Sequence, residues 1–565
     1  MLRNQLSDIV VIMILETGLF LSTLFIISRI YLFIRKLCLS LQQIKAPRQG
    51  EYPGMLKLQK YTTMKGLKTI LNGLLLLTMA VGTMSCQGLI DAVLGNDDVP
   101  VSPDVPSAKK MLLEVMGERY EVPLPASEPL NLRTLTNEFD ITVKVLNASD
   151  FSSVTIGGKP LAGGVCTLRA PEVLDASTYI DVNYATGSQQ GTIKLRTYPK
   201  QLFTLGSTGE GVIPGDFYLS FIFQPLIMKV DNQGRLVYYR FEPTEANGTF
   251  QEQGFWDFKK HVFSGKTYYS YHAPDPAFKD RAFTGYVPGM RILMDEHYVP
   301  VDTIHALASS DGYLPAGSPL DGHDFYFFSP THWIASASYV EREVNGVKRA
   351  VGYLQEVDGG KVVFDWWSTD HPEMLEWAEA LTTFDTSYDY VHFNSVDVMP
   401  DGNWLLSFRA ISTIAKVSHA DGAILWALHG EAGSLYEGFS GQHYARYHQK
   451  SDGNYITVFD NGNARQPGLT RTLRLKVQED ANSISVSSKE NLIEGSPSYF
   501  TQACGALLDF GNQGFVVGWG WSTETGNCNR LVSEYAPDGS LRFELHHLLN
   551  NPMSVNPSYR CVKCE

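Results

Sequence analysis

From about Lys200 onward the chain reads as short apolar runs broken by turn dipeptides. Runs such as Asn403-Trp404-Leu405-Leu406-Ser407-Phe408 have the aromatic and β-branched character of strands, and Asp401-Gly402 and Asp452-Gly453 predict tight turns. One unit recurs, a turn followed by an aromatic strand. It appears at Asn232–Tyr239, Asp358–Trp366, Asp421–Trp426 and Asp538–Phe543, with degraded copies at Met294–Glu296 and Asp480–Asn482. Taken at Gly234, Glu296, Gly360, Gly422, Ala481 and Gly539, the intervals are 62, 64, 62, 59 and 58 residues. Six copies at a steady period predict four-strand units repeated in a ring, which protects edge strands and leaves a central channel. The expectation for 201–565 is therefore a six-bladed β-propeller.

The stretch before it carries strand-like runs at Met111–Tyr120, Phe139–Leu146, Tyr179–Tyr184 and Gly191–Thr197, punctuated by Gly157-Gly158 and Thr186-Gly187. That spacing predicts a small Ig-like β-sandwich over 108–200, and the fold class is all-β. Asp-, Pro- and Val-rich residues 87–107 read as a linker. Further upstream lie two hydrophobic segments. Ile9–Ile34 is long enough to cross a bilayer but contains Glu16 and Arg29. The second starts afresh at Met64-Lys65-Gly66-Leu67-Lys68, runs apolar from Leu74 to Val81 and ends Gly82-Thr83-Met84-Ser85-Cys86. A basic start, a short apolar region and a small residue before cysteine predict a lipoprotein signal peptide over 64–86, with Cys86 lipidated after cleavage. Thr83 stands where bacterial lipoboxes usually have Leu, and the competing assignment is a second transmembrane helix. A signal peptide belongs at a start, so residues 1–63 read as a gene-model extension or, if expressed, an N-terminal membrane segment. The expected location is the bacterial cell envelope, lipid-anchored and periplasmic or at the cell surface.

Composition narrows the function. Aromatics at 12%, 49 Gly and 28 Pro fit a turn-rich β architecture. A net charge of −14 argues against nucleic acid as a partner, because phosphate contacts need a basic face. An anionic substrate would need a cationic pocket inside an acidic protein. Of seven cysteines, Cys561-x-x-Cys564 has zinc-like spacing but no second pair. A disulfide between Cys504 and Cys528 is expected in an oxidising compartment.

Candidate chemistry concentrates between Tyr390 and Asn463. That segment holds His392-Phe393-Asn394-Ser395, Ser407-Phe408-Arg409, the Asp421–Leu428 run, Gln442-His443 and Phe459-Asp460-Asn461-Gly462-Asn463. Taken in this order the five elements resemble the arylsulfate sulfotransferases, bacterial enzymes that move sulfuryl groups between phenols without a nucleotide donor. Similarity extends from about Gly215 to Leu545, and the family's Arg-His-Gln is here Arg409-Ala410-Ile411. The resemblance implies the propeller fold and a histidine that accepts the sulfuryl group, at His443. It implies that Arg409, His323 (in Asp321-Gly322-His323-Asp324-Phe325) and His392 hold the sulfuryl and phenolic oxygens. Asn394, Asn461 and Asn463 are the expected substrate-binding residues. His371, His419, His429 and His448 lie in turns or edges without such context. No cofactor and no metal is implied. The partners are phenolic sulfate donors and phenol acceptors, plus the membrane through the lipid anchor; a homodimer is left open.

Neutral His443 would attack the ester and become sulfohistidine, and a phenol would then take the group, giving ping-pong kinetics. Two rival classes share the architecture: a non-catalytic surface propeller that binds sugars or peptides, and a quinone- or metal-dependent propeller enzyme. A sulfatase lacks its Cys-x-Pro-x-Arg here, and a nucleotide-dependent sulfotransferase lacks its phosphate-cradling loop.

Overall fold

A computed structural model of the chain describes residues 109–564, apart from 171–173, 175–178, 188, 198–202, 243–253, 282–284, 338–339, 381–384, 431–437, 465–467, 495–499, 523–529 and 548–557. The expected extension 1–63, signal segment 64–86 with Cys86, and linker 87–107 lie outside the described residues, as does Cys528 of the expected disulfide. Among the described residues the protein is nearly all β, and no helix is long and apolar enough to cross a membrane. Pro372–Ala380 forms an α-helix, with proline at its first position, where a missing N–H costs nothing.

Residues 106–565 form one compact unit. Its N-terminal part has two sheets. One pairs Glu118–Pro123, Lys110–Val115, Ile141–Val145 and Val165–Leu168; the other is built on Gln190–Arg196, Tyr179–Ala185 and Ser153–Ile156. Alternate residues of these strands are buried, including Leu113, Val143, Val182 and Ile193, and they share one apolar core. The apolar run Met111–Tyr120 is a hairpin rather than one strand, because Met116 and Gly117 both take positive φ and reverse the chain. Thr134–Thr136 leaves this part altogether and pairs with Leu236–Phe241, so the two regions share a sheet.

The remainder consists of antiparallel meanders of four strands. The first has Asp216–Phe221, Leu226–Val230 and Leu236–Phe241. The next begins with β1 (Trp256–Phe263), followed by Lys266–Pro274, Gly289–Met294 and Pro300–Ile304. Another begins with β2 (Leu320–Ser329), followed by His332–Ala337, Tyr353–Asp358 and Lys361–Trp367. Then come β3 (Phe393–Val398) and β4 (His443–Lys450), each leading its own meander. The last starts with β5 (Ala506–Asp509) and ends at Leu541–His547. Finally β6 (Ser558–Cys564) pairs back with Asp216–Phe221, supplying the first meander with its inner strand, while Phe203–Thr208 adds an outer strand to the last. The first and last strands after Phe203 are thus stitched into each other's sheets. The strands β1 to β6 touch in a closed circuit, β6 meeting both β1 and β5.

The repeat markers fall at equivalent places: Gly234, Glu296, Gly360, Gly422, Ala481 and Gly539 each lie in the turn between the third and fourth strands of a meander. Gly234, Gly360, Gly422 and Gly539 adopt φ between 77° and 82°, which explains why glycine recurs there. Cys561 and Cys564 sit three residues apart on β6, an odd spacing that turns their side chains to opposite faces. That geometry does not present two thiolates to one ion.

Candidate active site

Near their starts the innermost strands share a local distortion. Asp257, His392, Tyr444 and Cys504 all take left-handed backbone conformations, with φ of 52°, 47°, 54° and 65°. Register shifts follow at Trp256/Lys259, Phe393/Ser395 and His443/Arg446, and β2 has its own between Leu320 and Phe325. For non-glycine residues each such kink costs about 1 kcal/mol. The kinks leave the regular ladder at the level where Trp256, His323, His392 and His443 meet.

Successive residues on a strand point oppositely, and the chain uses this to build two layers. Trp256, His323, His443 and Tyr559 belong to the upper layer; their next neighbours Asp257, Asp324, Tyr444 and Arg560 belong to a buried floor. In that floor Arg560 bonds Asp257 at 2.9 Å and Asp324 at 3.3 Å, Arg446 bonds Asp324 at 2.8 Å, and Lys259 bonds Asp324 at 2.6 Å. Burial alone would raise the Asp324 carboxyl, but Arg446, Lys259 and Arg560 hold it well below the usual range. The Arg560 guanidinium also lies over the Tyr444 ring at 4.4 Å. Ion pairs so thoroughly buried do not argue for stability by themselves, yet removing one partner would strand a charge.

Above the floor three histidine rings come together. Ring centroids are 6.5 Å apart for His443 and His323 and 5.1 Å for His323 and His392. All are buried, with exposures of 1%, 2% and 7% for His443, His323 and His392. Trp256 and Tyr559 stack at 4.3 Å beside His323, and the Tyr559 hydroxyl donates to the His323 carbonyl at 2.6 Å. Tyr286 approaches both His392, at 4.6 Å, and His323, at 5.6 Å.

Each histidine has a distinct partner at Nδ1. Asn461 spends both N–H groups on the Thr501 and Cys504 carbonyls, at 2.8 and 3.1 Å, so its Oδ1 accepts from His443 Nδ1–H at 2.7 Å. The Cys504 backbone N–H donates to His443 Nε2 at 3.2 Å. Both contacts require the same tautomer, with the lone pair at Nε2. His323 Nδ1 lies 2.9 Å from Asp321, and His392 Nδ1 lies 2.5 Å from Asp389. Burial and then the Arg409 cation push His443 well below its ordinary pKa, and burial also lowers His392. Arg409 follows strand Trp404–Phe408 and donates to the Gln502 carbonyl at 3.2 Å.

The expected site residues His323, His392, His443 and Arg409 thus come together. The three asparagines behave differently from one another. Asn461 stands behind His443, and Asn394 donates to the Gln442 carbonyl at 2.6 Å, bracing the strand that carries His443. Its Oδ1 is a buried acceptor without a hydrogen-bond partner among the described residues, and an acceptor has nothing to offer a sulfuryl oxygen. Asn463 donates to Gln502 at 3.0 Å. The segment 501–504, which His443, Arg409, Asn461 and Asn463 all contact, enters the sequence reading only through the Cys504 thiol, and Asp321 only as a neighbour of His323; Asp389, Tyr286, Trp256 and Tyr559 are given no role there. The two aspartates precede their histidines by two and three residues, a local signal that was available.

The profile of the Arylsulfotransferase (ASST) family matches residues 335–546, which include His392, Arg409, His443 and the three asparagines. Over this stretch the chain is similar to the arylsulfotransferase family. His323, Trp256, Tyr286 and Tyr559 lie outside the matched arylsulfotransferase region and reach the site through the closed circuit of strands. No curated protein is significantly similar to the chain. Among solved structures it is similar to a protein of unknown function from Bacteroides caccae at 12% identity, covering 62% of this chain and 100% of that one, with a TM-score of 0.35. Streptogramin B lyase follows at 10% identity, 62% and 89% coverage and TM-score 0.29. The Dos1 propeller gives 11% identity, 60% and 66% coverage and TM-score 0.26. At these scores the description of the fold rests on the sheets themselves.

Proposed function

We propose that this chain is an arylsulfotransferase and carries a sulfuryl group from a phenolic sulfate ester to a phenol by way of sulfohistidine at His443. The fold is taken as a six-bladed propeller closed by β6, with an Ig-like two-sheet module before it and a lipid anchor at Cys86 that holds it at the cell envelope. The observation that carries the reading is the His443 tautomer. A nucleophilic imidazole needs its proton held away from the attacking nitrogen; Asn461 holds it at Nδ1, and the lone pair at Nε2 accepts only the Cys504 N–H at 3.2 Å, a contact that sulfur would replace.

In the first half-reaction Nε2 attacks sulfur, the S–O bond to the aryl group breaks in line, and the phenolate leaves. The positive charge formed on the His443 ring is offset by the sulfuryl group's own negative charge, while Asn461 Oδ1 continues to accept Nδ1–H. As sulfur approaches Nε2, the Cys504 N–H loses its acceptor there and becomes a donor for a sulfuryl oxygen. Arg409 supplies the cation, and its flat fork suits two oxygens at once. Trp256, Tyr286 and Tyr559 offer flat faces for an aryl ring. In the second half-reaction a phenol oxygen attacks sulfur and the electron pair returns to Nε2.

Incubating purified protein with a chromogenic aryl sulfate, with and without added phenol, tests the reading. Phenol-dependent release of chromophore, with a sulfated acceptor recovered, is expected. Hydrolysis independent of acceptor, or no release at all, would overturn it.

A further inference from the structure

Asp389 is gripped from three directions. Its Oδ1 accepts the Tyr286 hydroxyl at 3.0 Å and the His392 backbone N–H at 3.1 Å, leaving Oδ2 for His392 Nδ1. Residues 386–389 are in turn clamped by the hairpin of Val340–Val344 and Val347–Val351. Arg349 in that hairpin donates to the Thr386 and Ser387 carbonyls at 3.0 and 2.8 Å, Tyr388 donates to Glu341 at 2.5 Å, and Ala350 pairs with Asp389. The close fit continues at Gly285, where a Cβ would come within 2.7 Å of the His392 ring.

We infer that Asp389 is a positioning residue that makes His392 the base for the incoming phenol, and that the hairpin exists to hold it there. The inference rests on transfer through His443. A carboxylate accepting Nδ1–H fixes the His392 tautomer and leaves Nε2 with its lone pair, and it stabilises the imidazolium once formed. His392 rather than His323 is assigned this part because its carboxylate is held both by Tyr286 and by the hairpin. His323 stands 6.5 Å from His443 and 5.1 Å from His392, so all three rings border one space in which donor and acceptor oxygens meet. In the step itself the phenol proton passes to His392 Nε2 and the phenol oxygen bonds sulfur. The S–N bond then breaks, with its electron pair returning to His443. The proton leaves His392 for water. The charged and titratable groups facing His392 are Asp389, Tyr286, His323 and Arg409. Burial lowers His392, which keeps it neutral and ready to accept at neutral pH.

Asp389→Asn is the informative change. Two donors, Tyr286 O–H and the His392 N–H, demand an acceptor at the Oδ1 position, so the new amide nitrogen must face His392 Nδ1. That reverses the tautomer and puts a proton on Nε2. With 4-nitrophenyl sulfate, whose leaving group needs no proton, the variant should keep a burst within several-fold of wild type. Transfer of the sulfuryl group to phenol should fall roughly 10²-fold or more. Acceptors acidic enough to be phenolate already should recover most of the loss. Tyr286→Phe, which removes only one grip, should show the same acceptor-specific pattern several-fold. The wild-type burst tests transfer through His443 by itself, and the ratio of burst to transfer in the variants tests this inference. Nitrogen-15 spectra of His392 give a readout independent of turnover: Nδ1–H in wild type and Nε2–H in Asp389→Asn. A protonated Nε2 in wild type, or a burst that falls in step with transfer in both variants, would overturn the proposal.

Discussion

Asn461 decides the state of His443, and replacing it separates two effects that the wild type combines. Asn461→Ala removes three buried hydrogen bonds at once: to His443 Nδ1, to Thr501 O and to Cys504 O. Each stranded partner costs about 1–3 kcal/mol, so a loss of roughly 3–9 kcal/mol is expected, a large fraction of a typical domain's stability. Asn461→Asp keeps an acceptor against Nδ1–H but brings negative charge beside the ring and faces two carbonyls without a donor. An opposite charge at this range raises a histidine pKa by roughly 1–3 units. In wild type, burial and Arg409 depress His443 below its ordinary value, so the nucleophile stays neutral as pH falls through about 6.5. Stopped-flow release of 4-nitrophenol without acceptor, followed across pH, reads the protonation directly. The wild-type burst rate should stay level through about pH 6.5 and fall only at lower pH. In Asn461→Asp the acid limb should move up by roughly 1–3 units, while the rate at high pH is partly retained. An unmoved acid limb, or an Ala variant that folds and bursts like wild type, would refute the role given to Asn461.

Other expectations follow from the same geometry. Arg409→Lys keeps a charge but loses the planar fork, so kcat/KM for aryl sulfates should drop sharply, and unchanged kinetics would remove Arg409 from the site. Burial holds His272 and His448 at about 4 in the folded protein, whereas in the unfolded chain each binds a proton near pH 6.5. The unfolded state therefore gains protons first as pH falls. Each should cost up to about 2 kcal/mol of stability between pH 6.5 and 5, seen as a falling urea midpoint that His272→Gln reduces. Ending the chain before Ser558 deletes β6, whose Tyr559, Cys561 and Val562 are buried. At about 1.5–3 kcal/mol for each large side chain, the loss should reach roughly 5 kcal/mol and appear as a much lower Tm. Chain made from Met64 should partition with membrane or detergent, and Cys86→Ala should release it or leave its signal uncleaved.

The architecture was largely legible because it repeats. A turn is needed at the same place in each meander; glycine with positive φ marks it at Gly234, Gly360, Gly422 and Gly539, and the degraded copies at Glu296 and Ala481 also fall between third and fourth strands. The strand Thr134–Thr136 was not legible: its partner is Leu236–Phe241, about a hundred residues on, and only closure brings them together. The histidines and Arg409 stood out because the motifs around them resemble the arylsulfate sulfotransferases; residue type alone does not separate them from His371, His419, His429 and His448. Their positioning partners were hidden for two reasons. Asn461 and Asn394 look like turn or pocket residues until their hydrogen-bond partners are known, and segment 501–504 acts through backbone atoms, which every sequence contains. Tyr559 reaches His323 across 236 residues, a contact with no local trace.

The central claim is a covalent sulfuryl group on His443 Nε2. Protein treated with 4-nitrophenyl sulfate in the absence of acceptor, digested under non-acidic conditions and analysed by mass spectrometry, should carry a single SO3 adduct on the peptide containing His443. Phenol should discharge the adduct and acid should strip it, and His443→Asn should show neither adduct nor burst. An adduct on another residue, or phenol-dependent transfer that survives in His443→Asn, would contradict the account.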